Sequence, residues 1–160
     1  MDDLINNLLE NASPPYLANK DWEPGKPVYY SGPYWDNEEL AVSIKALLAG
    51  KWLPSGEEVN KFERKFSKKF NKKYSLMVNS GSSANLIMFN ALKQRYGWQD
   101  GDEIIVSCVG FPTTIAPIVQ SGLKPVFVDI DFGDLNWDVA EIEEKITTRT
   151  RGVISSPVLG

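Results

Sequence analysis

Leu76-Met77-Val78-Asn79-Ser80-Gly81-Ser82-Ser83-Ala84-Asn85 joins a short apolar run to a turn of small polar residues, and Ile87, Met88, Ala91 and Leu92 follow at helical spacing. This is the pattern of a strand running directly into a helix. The same grammar continues downstream. Apolar runs recur at Ile104-Ile105-Val106, Val126-Phe127-Val128 and Val153-Ile154, separated by helical patterns at about Ser83 to Tyr96, Thr113 to Gln120 and Asp138 to Ile146. Asp138 with Glu141 three residues on marks the start of the last helix. The order βαβαβαβ, with continuous β-branched runs and crossovers of this length, predicts an α/β fold with a mainly parallel sheet flanked by helices on both faces. Ligands of such a sheet gather beyond the carboxyl ends of its strands.

Upstream the text is different. Residues 1–35 read as an arm: Leu4, Ile5, Leu8 and Leu9 fit a short amphipathic helix stopped by Ser13-Pro14-Pro15. Pro24, Pro27 and Pro33 then exclude a regular helix from a stretch carrying Trp22, Tyr29, Tyr30, Tyr34 and Trp35. Those aromatics need a surface, either on their own domain or on a partner subunit. Residues 36–73 read as a helical segment. Asp36 with Glu39 predicts a capping box, Leu40, Ile44, Leu47 and Leu48 recur at helical spacing, and Gly50 is a natural stop. A second helix carries Val59, Phe62, Phe66 and Phe70 as its expected inner face, with Lys61, Arg64, Lys65, Lys68 and Lys69 interleaved. The basic run to Lys73 reads as a solvated surface, with attraction of a phosphate-bearing ligand as the rival reading. Residues 74–160 form the α/β part.

Composition narrows the chemistry. The chain has 160 residues, 42% hydrophobic and 24% charged, with 17 Lys+Arg against 21 Asp+Glu, one Cys and no His. That length and hydrophobic content support a packed core without disulfides. Without histidine this segment has no Ser-His-Asp or Cys-His catalysis of its own and lacks the commonest zinc ligand. A net charge of -4 argues against a general grip on nucleic acid or an anionic membrane. No apolar run approaches the roughly 20 residues that span a bilayer. The acidic start, Met1-Asp2-Asp3-Leu4, does not fit a signal peptide, so a cytoplasmic protein is expected.

The turn at Gly81, Ser82 and Ser83 is the sharpest candidate site. The first amides of a helix lack internal acceptors and carry the positive end of the macrodipole, so a phosphate held there gains amide and hydroxyl donors. An ordinary serine cap is the competing reading. The turn is not a Walker loop, lacks the G-x-G-x-x-G fingerprint, and misses the final glycine of a nucleophile elbow. The next strand ends in Ser107-Cys108-Val109-Gly110-Phe111-Pro112-Thr113-Thr114. Pro112 suits a helix's first turn, which leaves Phe111 either to project over the serine turn and face a flat heteroaromatic ring or to fill the core. Cys108 reads as a buried small residue, because no Lys, Arg or His lies near it in sequence. Asp129 and Asp131 read as turn and capping residues rather than as a metal pair.

These residues, taken together, resemble the amino-terminal part of the DegT/StrS family of pyridoxal-phosphate sugar aminotransferases and their 3-dehydratase relatives, over about Asp36 to Gly160. The resemblance is carried by Gly50-Lys51-Trp52-Leu53-Pro54-Ser55-Gly56 with Val59, Phe62 and Glu63, by Asn79 to Asn85, by Gly101-Asp102-Glu103-Ile104-Ile105-Val106, by Phe111-Pro112-Thr113-Thr114 and by Pro125 to Asp131. It implies part of the large domain of the type I aminotransferase fold and pyridoxal 5′-phosphate as cofactor. By the same resemblance, Gly81, Ser82 and Ser83 would bind the cofactor's phosphate and Phe111 would stack on its ring. It also implies a nucleotide-sugar substrate, an amino donor such as glutamate and a homodimer. The catalytic lysine of the family, or the histidine that replaces it in the 3-dehydratases, and the aspartate facing the pyridine nitrogen are expected after Ser156-Pro157-Val158-Leu159-Gly160. None of the lysines present matches the catalytic one, so the chain alone is expected to be inactive. Transfer of an amino group to a keto-sugar is the leading reading. Removal of the 3-hydroxyl is the second, and Gly110-Phe111-Pro112-Thr113-Thr114 with Gln120 and Gly122 leans toward it. A non-catalytic phosphate-binding α/β module is the third.

Overall fold

A computed structural model describes residues 2–11, 22–28, 36–50 and 56–156. Ser13-Pro14-Pro15, the aromatics Tyr29, Tyr30, Tyr34 and Trp35, the motif at 51–55 and residues 157–160 lie outside the described residues. The chain divides into two compact units, Met1–Ser75 and Leu76–Gly160.

The first unit is helical. Helix α1 spans Asp2–Glu10 and buries Ile5 and Leu9 while Leu4 and Leu8 stay exposed. Helix α2, Asn37–Ala49, opens with the expected capping box: Asp36 accepts from the Glu38 amide and Glu39 accepts from the Asp36 amide, and Gly50 ends it. Leu40 and Ile44 are half-buried, but Leu47 and Leu48 face outward. Helix α3, Glu57–Lys69, departs from expectation. Phe62, Phe66 and Phe70 do not form a buried inner face; each is about half exposed, and successive rings meet at a tilt with centroids 5.4 and 4.7 Å apart. The buried residue of this helix is Ser67. Periodicity identifies the face that seeks cover, but it does not supply the cover.

The second unit carries the sheet. Helix α4 is Gly81–Tyr96, strand β1 Glu103–Ser107, helix α5 Pro112–Gln120, strand β2 Lys124–Val128, helix α6 Val139–Glu144 and strand β3 Thr150–Ile154. The strands lie in the order β2-β1-β3, all parallel, so the α/β reading with helices flanking a parallel sheet holds. Residues 76–78 are not a strand. Three apolar residues state a preference for burial, whereas a strand also needs a ladder, and the described ladders run only among β1, β2 and β3.

Every residue of β1 is buried, as befits a strand covered at both edges and on both faces. Ile104 and Val106 meet Phe89 of α4, Ile118 of α5 and Leu123 in one cluster, with Trp98, Ile115 and Ile154 against it. In register with β1, Val126 and Val153 share the face of Ile105, while Phe127 and Ile154 share that of Val106. Gly122 makes the tight entry to β2: its φ is +74° and an added Cβ would come within 2.6 Å of Asp100 Oδ1.

Charged groups tie the amino ends of the strands. Asp102, 3% exposed, accepts from Arg151 Nε at 2.8 Å and Nη2 at 3.3 Å and from the Gln99 amide at 2.9 Å. Glu103 accepts from Thr147 Oγ1 at 2.6 Å and Lys124 Nζ at 3.1 Å. The Arg151 guanidinium, then the Gln99 amide, hold the Asp102 carboxyl below its usual value; the Thr147 hydroxyl, then Lys124, do so for Glu103.

Two outcomes follow. Ile118→Ala should cost about 2–5 kcal/mol by urea unfolding, because Ile118 is fully buried in the cluster. A depressed carboxyl stabilises the fold above the ordinary aspartate value of about 3.9, and this contribution is lost as pH falls through the lower folded value. Asp102→Asn should therefore lower the urea midpoint at pH 7 and shrink the loss of stability on the acid side. Parallel pH profiles for the two proteins would contradict this role.

Candidate functional site

Helices α4 and α5 both begin beyond the carboxyl edge of the sheet, and each start is encoded locally. Ser80, in extended backbone, is the N-cap of α4: its Oγ accepts from the Ser83 amide at 3.2 Å, and its carbonyl accepts from the Ala84 amide at 3.0 Å. The serine cap is therefore Ser80, and Ser82 is not needed for it. The amides of Gly81 and Ser82 have no acceptor among the described residues, and the Ser82 hydroxyl is likewise uncommitted there. Ser80 Oγ also donates to Ser83 Oγ at 3.1 Å, which leaves the Ser83 proton free to point outward.

Gly81 provides an independent sign. A Cβ added there would meet nothing within 4 Å, and its φ is not in the left-handed range. Neither packing among the described residues nor backbone conformation requires a glycine, and the space above the amides is open to a close-approaching anion. Neither α4 nor α5 has an acidic side chain in its first turn, so the positive ends of both helix dipoles stand uncompensated.

Phe111 is the N-cap residue of α5, followed by Pro112 at the first helical position as expected. It is 67% exposed, which removes the core reading within this unit. The two helix starts are joined directly: Asn85 Nδ2 on α4 donates to the Thr113 carbonyl on α5 at 3.2 Å. Phe111 borders a shallow, open depression that is also lined by Ser107, Thr114, Trp137, Ile154 and Ser156. Gly81, Ser82 and Ser83 do not line it. Trp137 and Asn85 were not singled out in the sequence. Trp137 reaches the depression through an isolated antiparallel bridge to Ile130, a long-range pairing without local signal.

Cys108 is a correction. It is exposed, because β1 ends at Ser107 and Cys108 already lies in the bend beyond the buried strand. Its thiol donates to Asp129 Oδ1 at 3.3 Å. The Asp129 carboxylate, and then burial, push the thiol up, while the Ile130 amide and the thiol hold Asp129 down. Asp131 Oδ1 accepts from the Gly133 amide at 2.6 Å, which is the turn role expected of it. Among the described residues no group of three or more His, Cys, Asp or Glu is placed to hold a metal ion, and no helix is long and apolar enough to cross a membrane.

The second unit is thus a parallel α/β sheet with two amides that lack an acceptor among the described residues at one helix start and an exposed aromatic at the next. Residues 35–160 match the DegT/DnrJ/EryC1/StrS aminotransferase family, and the chain belongs to that family. The chain is 37% identical over 161 residues to the lipopolysaccharide biosynthesis protein RfbH of Salmonella typhimurium, covering 98% of this chain and 37% of that protein. It is 41% identical over 128 residues to the GDP-4-keto-6-deoxy-D-mannose 3-dehydratase of Escherichia coli O55:H7, covering 79% of this chain and 33% of that one. The solved E. coli GDP-4-keto-6-deoxy-D-mannose-3-dehydratase with bound hydrated PLP superposes with a TM-score of 0.68 at 38% identity, over 77% of this chain and 32% of that structure. The chain thus spans about a third of the length of these relatives.

The Cys108 pair can be checked in solution. Alkylation of Cys108 should accelerate only above the ordinary cysteine value of about 8.5, and Asp129→Asn should move that rise to lower pH. An unchanged profile in the variant would show that Asp129 does not control the thiol.

Proposed function

We propose that the whole protein is a pyridoxal 5′-phosphate enzyme acting on a nucleotide-linked keto-sugar, with removal of the sugar 3-hydroxyl as its reaction. The observation that carries the cofactor site is the pair of acceptor-free amides at Gly81 and Ser82 beneath open space. When bound, the cofactor supplies an electron-withdrawing ring that stabilises negative charge developing on the attached substrate.

The residues of this chain bind and orient. The Gly81 and Ser82 amides and the Ser82 and Ser83 hydroxyls donate to the phosphate, with the α4 dipole favouring its charge. Phe111, exposed at the start of α5, would offer its face to the ring. The Asp129 carboxylate beside Cys108 raises its thiol, which disfavours the thiolate a nucleophile needs. The curated relative at 41% identity and the solved structure at 38% carry the same E. coli 3-dehydratase name, and this supports the dehydratase reading. The family's description as aminotransferases supports a second reading, in which an amino donor supplies nitrogen to the keto carbon.

Titration of pyridoxal 5′-phosphate tests the site. Gly81→Ala and the double variant Ser82→Ala, Ser83→Ala should each weaken binding roughly tenfold or more, the value of one or two charge-assisted hydrogen bonds. Gly81→Ala should keep or raise the urea midpoint, since alanine favours a helix. Equal affinity in all three proteins would leave the turn as a helix start without a ligand. For the reaction, NMR of the product from a nucleotide-linked 4-keto-6-deoxy sugar with the full-length protein discriminates. A sugar lacking the 3-hydroxyl supports dehydration, and one that gains an amino nitrogen overturns it in favour of transfer.

A further inference from the structure

Helix α5 contains a proline, Pro117, buried in its interior. In an unbroken helix the N–H of residue 117 would bond the carbonyl of Thr113, four residues back; proline has no N–H, and its ring crowds that carbonyl. A carbonyl left without a donor in a partly buried position is costly. The donor comes from another helix: Asn85 Nδ2, 28 residues away in the chain, reaches the Thr113 carbonyl at 3.2 Å.

We propose that Asn85 and Pro117 form a matched pair in which the Asn85 side chain replaces the missing backbone donor, making Asn85 the positioning residue that sets Phe111 relative to the Gly81 and Ser82 amides. The inference rests on the cofactor reading above. Asn85 is the fifth residue of α4, one turn from Gly81, and Thr113 is the second residue of α5, two after Phe111. One bond therefore spans the two helix starts. The Phe111 carbonyl accepts from the Thr114 amide at 2.9 Å, so the turn bearing the ring moves with the first turn of α5.

The other end of α5 is held separately. Asn90 Nδ2 donates to Ser121 Oγ at 3.0 Å and Lys93 Nζ to the Ser121 carbonyl at 2.7 Å. Ile118 remains in the core cluster. Loss of the Asn85 bond should therefore free the amino end of α5 without undocking the helix. The pair also explains why a proline is tolerated at an interior helical position: its cost is offset from outside the helix.

The test uses the full chain with Asn85→Ala, Asn85→Asp, Pro117→Ala and the double variant Asn85→Ala, Pro117→Ala, titrated with pyridoxal 5′-phosphate and with inorganic phosphate, and with urea unfolding recorded for each. Asn85→Ala should weaken pyridoxal phosphate about tenfold, the worth of one hydrogen bond with a polar group left unpaired. Inorganic phosphate, which needs only the α4 amides, should change by less than about twofold on the same reasoning. Asn85→Asp, which keeps the shape but replaces the donor with a charged acceptor, should weaken pyridoxal phosphate at least as much as Asn85→Ala. Pro117→Ala restores a backbone donor to Thr113, so adding Asn85→Ala to it should have little further effect. Should Pro117→Ala fail to fold, the comparison of Asn85→Asp with Asn85→Ala still decides. Wild-type affinity in Asn85→Ala, equal loss of both ligands, or an undiminished effect in the Pro117→Ala background would each overturn the positioning role alone. A wild-type chain that binds no pyridoxal phosphate would overturn the cofactor reading and this role with it.

Discussion

The burial of β1 between two parallel neighbours is the constraint on which the second unit depends. Its five residues are shielded on both faces and both edges, so its ladder bonds form where water cannot compete. Ile104 and Val106 anchor α4 and α5 through Phe89 and Ile118, and that shared anchor brings the two helix starts to the same edge of the sheet. For α5 the parallel arrangement sets this edge, because β1 exits there before its crossover returns, and the Asn85–Thr113 bond holds the start of α4 beside it.

The two ends of the sheet do different work. At the amino ends, Asp102 with Arg151 and Glu103 with Lys124 join β1 to β3 and β2, and every buried polar side-chain atom among the described residues has a partner. At the carboxyl ends several groups have no partner among the described residues: the Gly81 and Ser82 amides and the Ser82 hydroxyl, with the ring of Phe111 exposed. Rigidity at one edge permits unsatisfied donors at the other, since the open groups face solvent and cost little until a ligand takes them.

Much of this was legible in the residues. The capping box at Asp36, the stop at Gly50, Pro112 at the first position of α5 and the Asp138 cap of α6 all rest on interactions within four residues, which a linear text displays. The three strands of the sheet followed from β-branched runs. Other features escaped. The α3 phenylalanines were read as buried but are half exposed, Cys108 was read as buried but stands past the strand's end, and Leu76-Met77-Val78 has the composition of a strand without its ladder. In each case the local preference was real and the outcome depended on whether a distant segment supplied cover or pairing.

What the sequence alone determined is the alternation of helices and strands from Gly81 onward, the points at which capped helices start and stop, and the small-residue turn from Ser80 to Ser83, because sterics and capping act over a few bonds. The tertiary structure decided which of those serines caps the helix, which amides remain open, that Phe111 faces outward, and that Asn85 answers the donor missing at Pro117. Those outcomes compare partners far apart along the chain, and only folding around β1 brings the candidates within hydrogen-bonding reach.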